Sequence, residues 1–280
     1  MLDWTVRVFA ALAGTTVAWP KRSRRQVNRA GWDAYARTWE AMKARRDIPD
    51  LPASRAADAE HLGDEWSLMG DEVFSYGVDA RSVKDFGEYL DARLFAPHLA
   101  GSDLRIMEIG PGGGRVTQLL LPRARVLYAV DISEAMLQRL RARFAGEPKI
   151  VPLLIDGTSI DGIAPASLDA AISFDAFVHL EPWEIYRYLE IMHGLLRPGG
   201  TGIIHFADIE TPIGFALFRT QVPSVVQRGL DCATFSVMTK AIMRQFLLQL
   251  GFEIVSLSND AFPRDAVAVF RKIAPVTRDG

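Results

Sequence analysis

A single cysteine, Cys232, stands in 280 residues. A lone thiol excludes an intramolecular disulfide and any zinc cluster built on cysteine pairs, and it suits a reducing cytosol. An excess of one charge is also missing: 32 Lys and Arg face 34 Asp and Glu, a formal net charge of −2. General nucleic-acid binders carry a basic excess, so that class is disfavoured. No apolar run reaches the roughly 20 residues that a membrane span needs. Residues 4–19 (WTVRVFAALAGTTVAW) come nearest, but Arg7 interrupts them, and the basic group Lys21, Arg22, Arg24 and Arg25 follows them. That order is the reverse of a secretory signal. The segment reads as a helix packed on the body of the protein or on a second subunit of a homodimer. The alternative is an interfacial membrane helix with a basic flank, a peripheral contact made through residues 1–25. Internal repeats and low-complexity tracts are absent. What remains, with 49% hydrophobic and 24% charged residues, is a cytoplasmic globular enzyme or binding domain with a large core.

Residues 28–100 hold no strand-like run. Trp32, Tyr35 and Trp39 recur at helical spacing, as do Val83, Phe86, Leu90 and Leu94. Between them, residues 63–77 mix glycines with aromatics and read as a loop. From residue 104 short apolar runs alternate with amphipathic helices. Strands are expected at 104–109, 126–130, 150–155, 168–174, 201–206, 252–257 and 266–270. The helices between them carry apolar stripes, such as Met136, Leu140 and Phe144, or Ile185, Leu189, Met192 and Leu196, or Ile242, Phe246 and Leu250. Ser133 and Thr239 fall where N-caps belong. This alternation predicts an α/β fold, a doubly wound and mostly parallel seven-stranded sheet. The last two strands lie too close for a crossover helix and should pair antiparallel. A helical extension is expected over 1–100, and the sheet domain over 101–280, with an insertion at 209–238.

In an open α/β sheet the ligand crevice lies beyond the carboxyl ends of the strands. The first strand runs into Met107-Glu108-Ile109-Gly110-Pro111-Gly112-Gly113-Gly114-Arg115. Glycines there allow a tight turn and a close approach of ligand to backbone. A dinucleotide fingerprint, G-x-G-x-x-G, would place glycine where this chain has Arg115. No tyrosine is followed four residues later by lysine, the pair a short-chain nicotinamide enzyme needs for proton transfer. The pattern is instead E-x-G-x-G-x-G.

With that pattern, residues 104–273 resemble the class I S-adenosylmethionine-dependent methyltransferases. The resemblance implies their Rossmann-like fold and S-adenosylmethionine as methyl donor. It puts Glu108, Gly110, Gly112 and Gly114 at the methionine end of the donor. Asp131, in Val130-Asp131-Ile132-Ser133, would hold the two ribose hydroxyls, since a carboxylate accepts both O–H bonds. Ile132 and Phe174 join it as donor contacts, and Asp156-Gly157 would lie near the adenine. Leu196-Arg197-Pro198-Gly199-Gly200 matches the turn before the family's fifth strand. Taken singly, Asp131 also reads as a residue favoured by the dipole of the next helix, and Asp156 as a turn residue. The same resemblance makes 1–100 a cover for donor and acceptor, and 209–238 part of a lid.

Methyl transfer is an in-line displacement, so the acceptor atom must be held close to the methyl group. A neutral alcohol gains from a general base beside its proton. The segment Ser173-Phe174-Asp175-Ala176-Phe177-Val178-His179-Leu180-Glu181 resembles the catalytic segment of small-molecule O-methyltransferases, in which a histidine serves as base. His179 is therefore the candidate base, with a helix-capping histidine as the alternative. Asp175 would orient it, contact the donor or bind the acceptor. His205 and Asp208, at the end of the fifth strand, and Trp66, Phe74 and Tyr76 are candidate acceptor contacts. Asp175, His179, Glu181 and Asp208 form a candidate Mg²⁺ set, though their spacing is not diagnostic. His61, His98 and His193 read as structural or exposed.

Ser173-Phe174-Asp175-Ala176 is not the Asn/Asp/Ser-Pro-Pro-aromatic motif of amino-methylating nucleic-acid enzymes. Cys232 follows Asp231 rather than the proline of carbon-5 cytosine enzymes. The expected activity is O-methylation of a sugar or a glycosylated metabolite. N- or carboxyl-methylation of a small metabolite, a non-catalytic donor-binding protein and a lipid-linked acceptor at a membrane surface are the alternatives.

Overall fold

The computed structural model describes residues 24–45 and 86–273. The apolar run at 4–19, the loop at 63–77 and the candidate residues His61, Trp66, Phe74 and Tyr76 lie outside the described residues.

Successive residues of a strand point to opposite faces of its sheet, and runs that are apolar on both faces suit a buried strand. Seven strands form, and the inner ones obey this rule: β1 (Leu104–Ile109), β2 (Ala124–Asp131), β3 (Ile150–Leu154), β4 (Leu168–Ser173), β5 (Leu196–Ala207), β6 (Phe252–Ser258) and β7 (Asp265–Lys272), with β3 and β6 only partly buried at the edges. They form one sheet in the order β3-β2-β1-β4-β5-β7-β6. The first five are parallel, and β7 runs antiparallel to both β5 and β6. Met107 and Ile109 enter one core with Leu189, Met192 and Phe270, whereas Ile106 enters the other with Leu127, Leu140 and Phe262. Each such side chain contributes about 1.5–3 kcal/mol when fully buried. The seven-stranded, mostly parallel sheet is as expected.

Strand ends shift by one or two residues from the expected ranges, and one boundary moves further. β5 begins at Leu196 rather than at Thr201, because Leu196 pairs with Leu168 ahead of a register shift. Arg197 Nε donates to Asp169 Oδ1 at 2.7 Å, and Lys272 Nζ donates to the Leu196 carbonyl at 2.9 Å. The Pro198-Gly199-Gly200 turn is thus an irregularity inside the strand.

Helix ends follow their capping residues. Before α4 (Glu134–Arg143), the Ser133 hydroxyl accepts from the Met136 amide. α5 (Pro182–Leu195) opens on a reciprocal Glu181 and Glu184 box, with proline in its first turn. Thr239 caps α7 (Lys240–Gln249). Two shorter helices, α2 (Phe86–Leu90) and α3 (Thr117–Leu120), flank β1. The insertion folds as α6 (Pro212–Arg228), followed by an irregular stretch that returns to the carboxyl ends of the strands.

The first helix among the described residues, α1 (Arg24–Arg45), is tied across those ends. Asp33 Oδ1 accepts from the Ser133 hydroxyl at 2.6 Å and from the Ala135 amide at 3.3 Å, so α1 helps to cap α4 from outside. Arg29 Nη2 donates to the Ile155 carbonyl at 2.6 Å. The sheet order reverses between β1 and β4, which marks their carboxyl ends as the ligand crevice.

Candidate functional site

A cavity of about 350 Å³ occupies that crevice. Its floor is the glycine loop after β1, with Asp131 and Ile132 at and just beyond the end of β2 and Phe174 and Asp175 just beyond β4. Trp32 and Tyr35 of α1 roof it, together with Cys232 and Ala233 of the insertion. The two roof elements touch, since a Cβ on Gly31 would sit 2.4 Å from Cys232 Sγ.

The loop glycines serve different ends. Gly112 has φ +54°, and a Cβ there would meet nothing within 4 Å, because the position opens on the cavity. Gly114 has φ +96°, and its Cβ would collide with Phe144 and Leu140. The resemblance put both at the donor, but the structure gives Gly114 a packing role against α4, outside the cavity lining. Gly110, Glu108, Ile132 and Phe174 do line the cavity. Gly112→Ala is expected to leave the fold in place, at about 1 kcal/mol of backbone strain. The new methyl group enters the cavity and weakens S-adenosylhomocysteine binding, which calorimetry measures; unchanged affinity would place the donor elsewhere.

Two buried carboxylates face this space. Burial pushes Glu108 up to about 7, partly offset by the Thr117 hydroxyl, which donates to Oε2 at 2.6 Å. Asp131 is pushed up to about 6, again by burial; the amides of Ser133, Gly112 and Ile132 lower it and the charge of Asp33 raises it. Burying carboxylates is costly unless donors or a cation answer them. The methyl donor brings both, in its ribose hydroxyls, its ammonium and its sulfonium, and the residues present therefore fit it.

Asp156 stands apart from the cavity. Its carboxylate folds back on its own turn, accepting from the Thr158 hydroxyl and amide, and these bonds hold it at about 2. Its side chain is 60% exposed, with Arg25 of α1 3.9 Å away. Gly157 lies under the Arg25 side chain. Here the turn reading describes Asp156 better than the adenine contact implied by the resemblance.

His179 closes a short 3₁₀ turn, Phe177–His179, after β4. Its ring is 5.3 Å from Trp32, and the Thr234 main chain hydrogen-bonds it. Burial lowers its pKa, and the charge of Asp175 offsets part of that shift. Its Nδ1 is buried with no partner among the described residues. Glu181 and Glu184 cap α5, which leaves no capping role for this histidine. Asp175 adopts φ +63°, a conformation uncommon for a residue with a side chain. Its carboxylate lies 3.5 Å from Arg115, which also lines the cavity.

Two expected acceptor contacts are placed elsewhere. His205 is buried in the core: Nδ1 accepts from the Asp175 amide, and Nε2 lies 3.1 Å from Asp265. Asp208 accepts from Lys240 Nζ at 2.6 Å and from Asn259 Nδ2 at 3.1 Å, in a knot behind the cavity. The candidate Mg²⁺ set is corrected accordingly. Asp208 is committed to Lys240 and Glu181 to its helix cap, and no three metal-ligating side chains converge among the described residues.

The sequence reading missed Arg115, Arg139, Tyr188 and Cys232 as lining residues. Arg115 stood out there only as a missing glycine. Trp32 and Tyr35 were visible as a helical stripe, but nothing local says that this stripe covers a crevice a hundred residues away.

Residues 106–200, about a third of the chain, match the family described as a methyltransferase domain. An uncharacterized methyltransferase of Geobacillus sp. (strain WCH70) is 26% identical over 72% of this chain and 94% of its own length. Another, from Bacillus thuringiensis (strain Al Hakam), is 28% identical over 69% of this chain and 86% of its own. Among solved structures, magnesium protoporphyrin IX methyltransferase (ChlM) from Synechocystis PCC 6803, with bound SAH, superposes with a TM-score of 0.56 at 16% identity. That match covers 89% of this chain and all of the other. The two kinds of match agree: residues 106–200 are similar to a methyltransferase domain, and the chain shares the Rossmann-like fold of a methyltransferase of solved structure. No described helix is long and apolar enough to cross a membrane.

Proposed function

We propose that the protein methylates a hydroxyl oxygen of a small molecule, a sugar or a glycosylated metabolite, with His179 as general base. The observation that carries this reading is the unpartnered Nδ1 of His179, buried beside the cavity. Burial keeps this imidazole neutral at pH 7, the state in which it can take a proton. Bound S-adenosylmethionine supplies an activated methyl group on a sulfonium. Gly110, Gly112, Glu108 and Asp131 bind and orient that donor. His179 accepts the acceptor's hydroxyl proton at Nδ1, and the Asp175 carboxylate stabilises the resulting imidazolium by charge. Trp32 and Tyr35, whose rings meet edge to face at 5.6 Å, offer apolar faces to a sugar. With Cys232 and Ala233 they keep bulk water out, the covering role expected of the N-terminal extension and the insertion.

Incubation with methyl-labelled donor and a panel of sugars, glycosylated metabolites, amines and carboxylic acids tests this. A methyl ether is the expected product. Methylation confined to nitrogen or to carboxylate would overturn the acceptor assignment.

A further inference from the structure

We propose that His205 is a positioning residue: it clamps the main chain of Asp175 in its left-handed conformation and so keeps the Asp175 carboxylate turned into the cavity. This rests on the reading of Asp175 as the charge partner of His179 given above. A non-glycine residue at φ +63° carries strain of order 1 kcal/mol or more and keeps that conformation only where its surroundings hold it. Here the hold is visible. The Asp175 amide donates to His205 Nδ1 at 3.2 Å. A ring that accepts at Nδ1 carries its proton on Nε2, and Nε2 lies 3.1 Å from Asp265 Oδ2. Arg264 donates to the same carboxylate oxygen from Nε at 2.8 Å and lies 2.6 Å from it through Nη2. Burial alone would raise the Asp265 carboxyl, but His205 and Arg264 together outweigh it and hold the group below the usual carboxylate range.

The ring cannot swing away. Phe174 stacks on it at 4.4 Å, with 21° between planes, and Phe262 meets it edge-on at 5.0 Å. His205 is 1% exposed and Asp265 is wholly buried. A position that needed only bulk would take an apolar side chain, which avoids the desolvation cost of a buried polar chain. The Arg264, Asp265 and His205 chain ends instead on one backbone amide, that of the strained cavity residue. Phe174, pinned by the same ring, forms the adjoining cavity wall.

Two substitutions of the full-length protein separate clamping from core filling. In His205→Asn the amide oxygen stands close to the place of Nδ1 and can still accept from the Asp175 amide; His205→Leu fills the space without an acceptor. The expected result is a kcat about 10²-fold lower for the Leu variant, the scale of a misplaced catalytic group. Its affinity for S-adenosylhomocysteine should be unchanged, and the Asn variant should recover most of the kcat. Equal losses in both variants, or full activity in the Leu variant, would overturn the proposal. A second measurement does not depend on variant folding or on activity. In the ¹⁵N-labelled wild type, a through-hydrogen-bond coupling is expected between the Asp175 amide nitrogen and His205 Nδ1, and its absence would equally overturn the clamp. Asp175→Asn keeps the backbone amide and removes the charge. If that variant turns over at the wild-type rate, the reading of Asp175 fails, while the nitrogen coupling still judges His205 by itself.

Discussion

Methyl transfer is expected to fall by about 10²–10⁴-fold when His179 is replaced by Gln, while S-adenosylhomocysteine still binds. Gln keeps a polar side chain of similar reach but cannot take a proton at neutral pH. The buried Nδ1 is the atom at stake, because Thr234 already engages the ring and Nδ1 has no partner among the described residues. The pH dependence carries the same signature. A base works when unprotonated, and burial lowers the pKa of this one. The acid limb of kcat should therefore lie below the ordinary imidazole value, with activity flat through neutrality. Steady-state rates of wild type and variant from pH 5 to 9 measure both effects. A variant with wild-type turnover, or an acid limb above the ordinary value, would remove His179 from the mechanism.

Glu108→Gln is expected to make the ligand-free protein more stable at pH 8, by about 3 kcal/mol, and to make no difference near pH 4. The sign follows from the raised carboxyl. Glu108 titrates at about 7 in the folded protein against 4.5 ordinarily. Below pH 4 both states are protonated and the group costs nothing. As pH rises from about 4.5 to 7, the unfolded chain ionises first, so the folded state loses stability across that window. Gln keeps an acceptor for the Thr117 hydroxyl and carries no charge to desolvate. Buried His179, lowered by burial, pushes the wild type the other way in the same range, so the comparison must be between the two proteins at each pH. Urea denaturation at pH 4, 6 and 8 supplies it. A Gln variant weaker than wild type at pH 8 would mean that Glu108 is already answered by a cation or donor. The same variant should bind the donor more weakly, because the stability it gains is the cost the wild type bears to keep a carboxylate ready for ligand.

The fold was legible because it depends on periodicity. β1 and β4 are apolar on both faces, and α4, α5 and α7 carry stripes and caps that local rules locate. The glycine loop was legible for a related reason, since Gly112 and Asp131 sit at strand ends, where topology alone puts a ligand. Side-chain commitments were not. Asp156 looks like a ligand residue until its carboxylate is seen to close on Thr158 and Ser159. Asp208 looks free until Lys240 and Asn259, distant in sequence, arrive at it. His205 stands at the right strand end, yet its ring lies in the core, stacked on Phe174 and 3.1 Å from Asp265 on the neighbouring antiparallel strand. The roof of the cavity depends on α1 crossing α4 and on the insertion folding back to Gly31, contacts that leave no periodic trace.

The central claim is that the crevice beyond β1 and β2 binds the methyl donor through Asp131. Calorimetric titration of the full-length protein with S-adenosylhomocysteine, repeated on Asp131→Ala, tests it most directly. Micromolar binding by the wild type and its loss in the variant are expected. Absence of binding by the wild type, or equal affinity in both proteins, would contradict it.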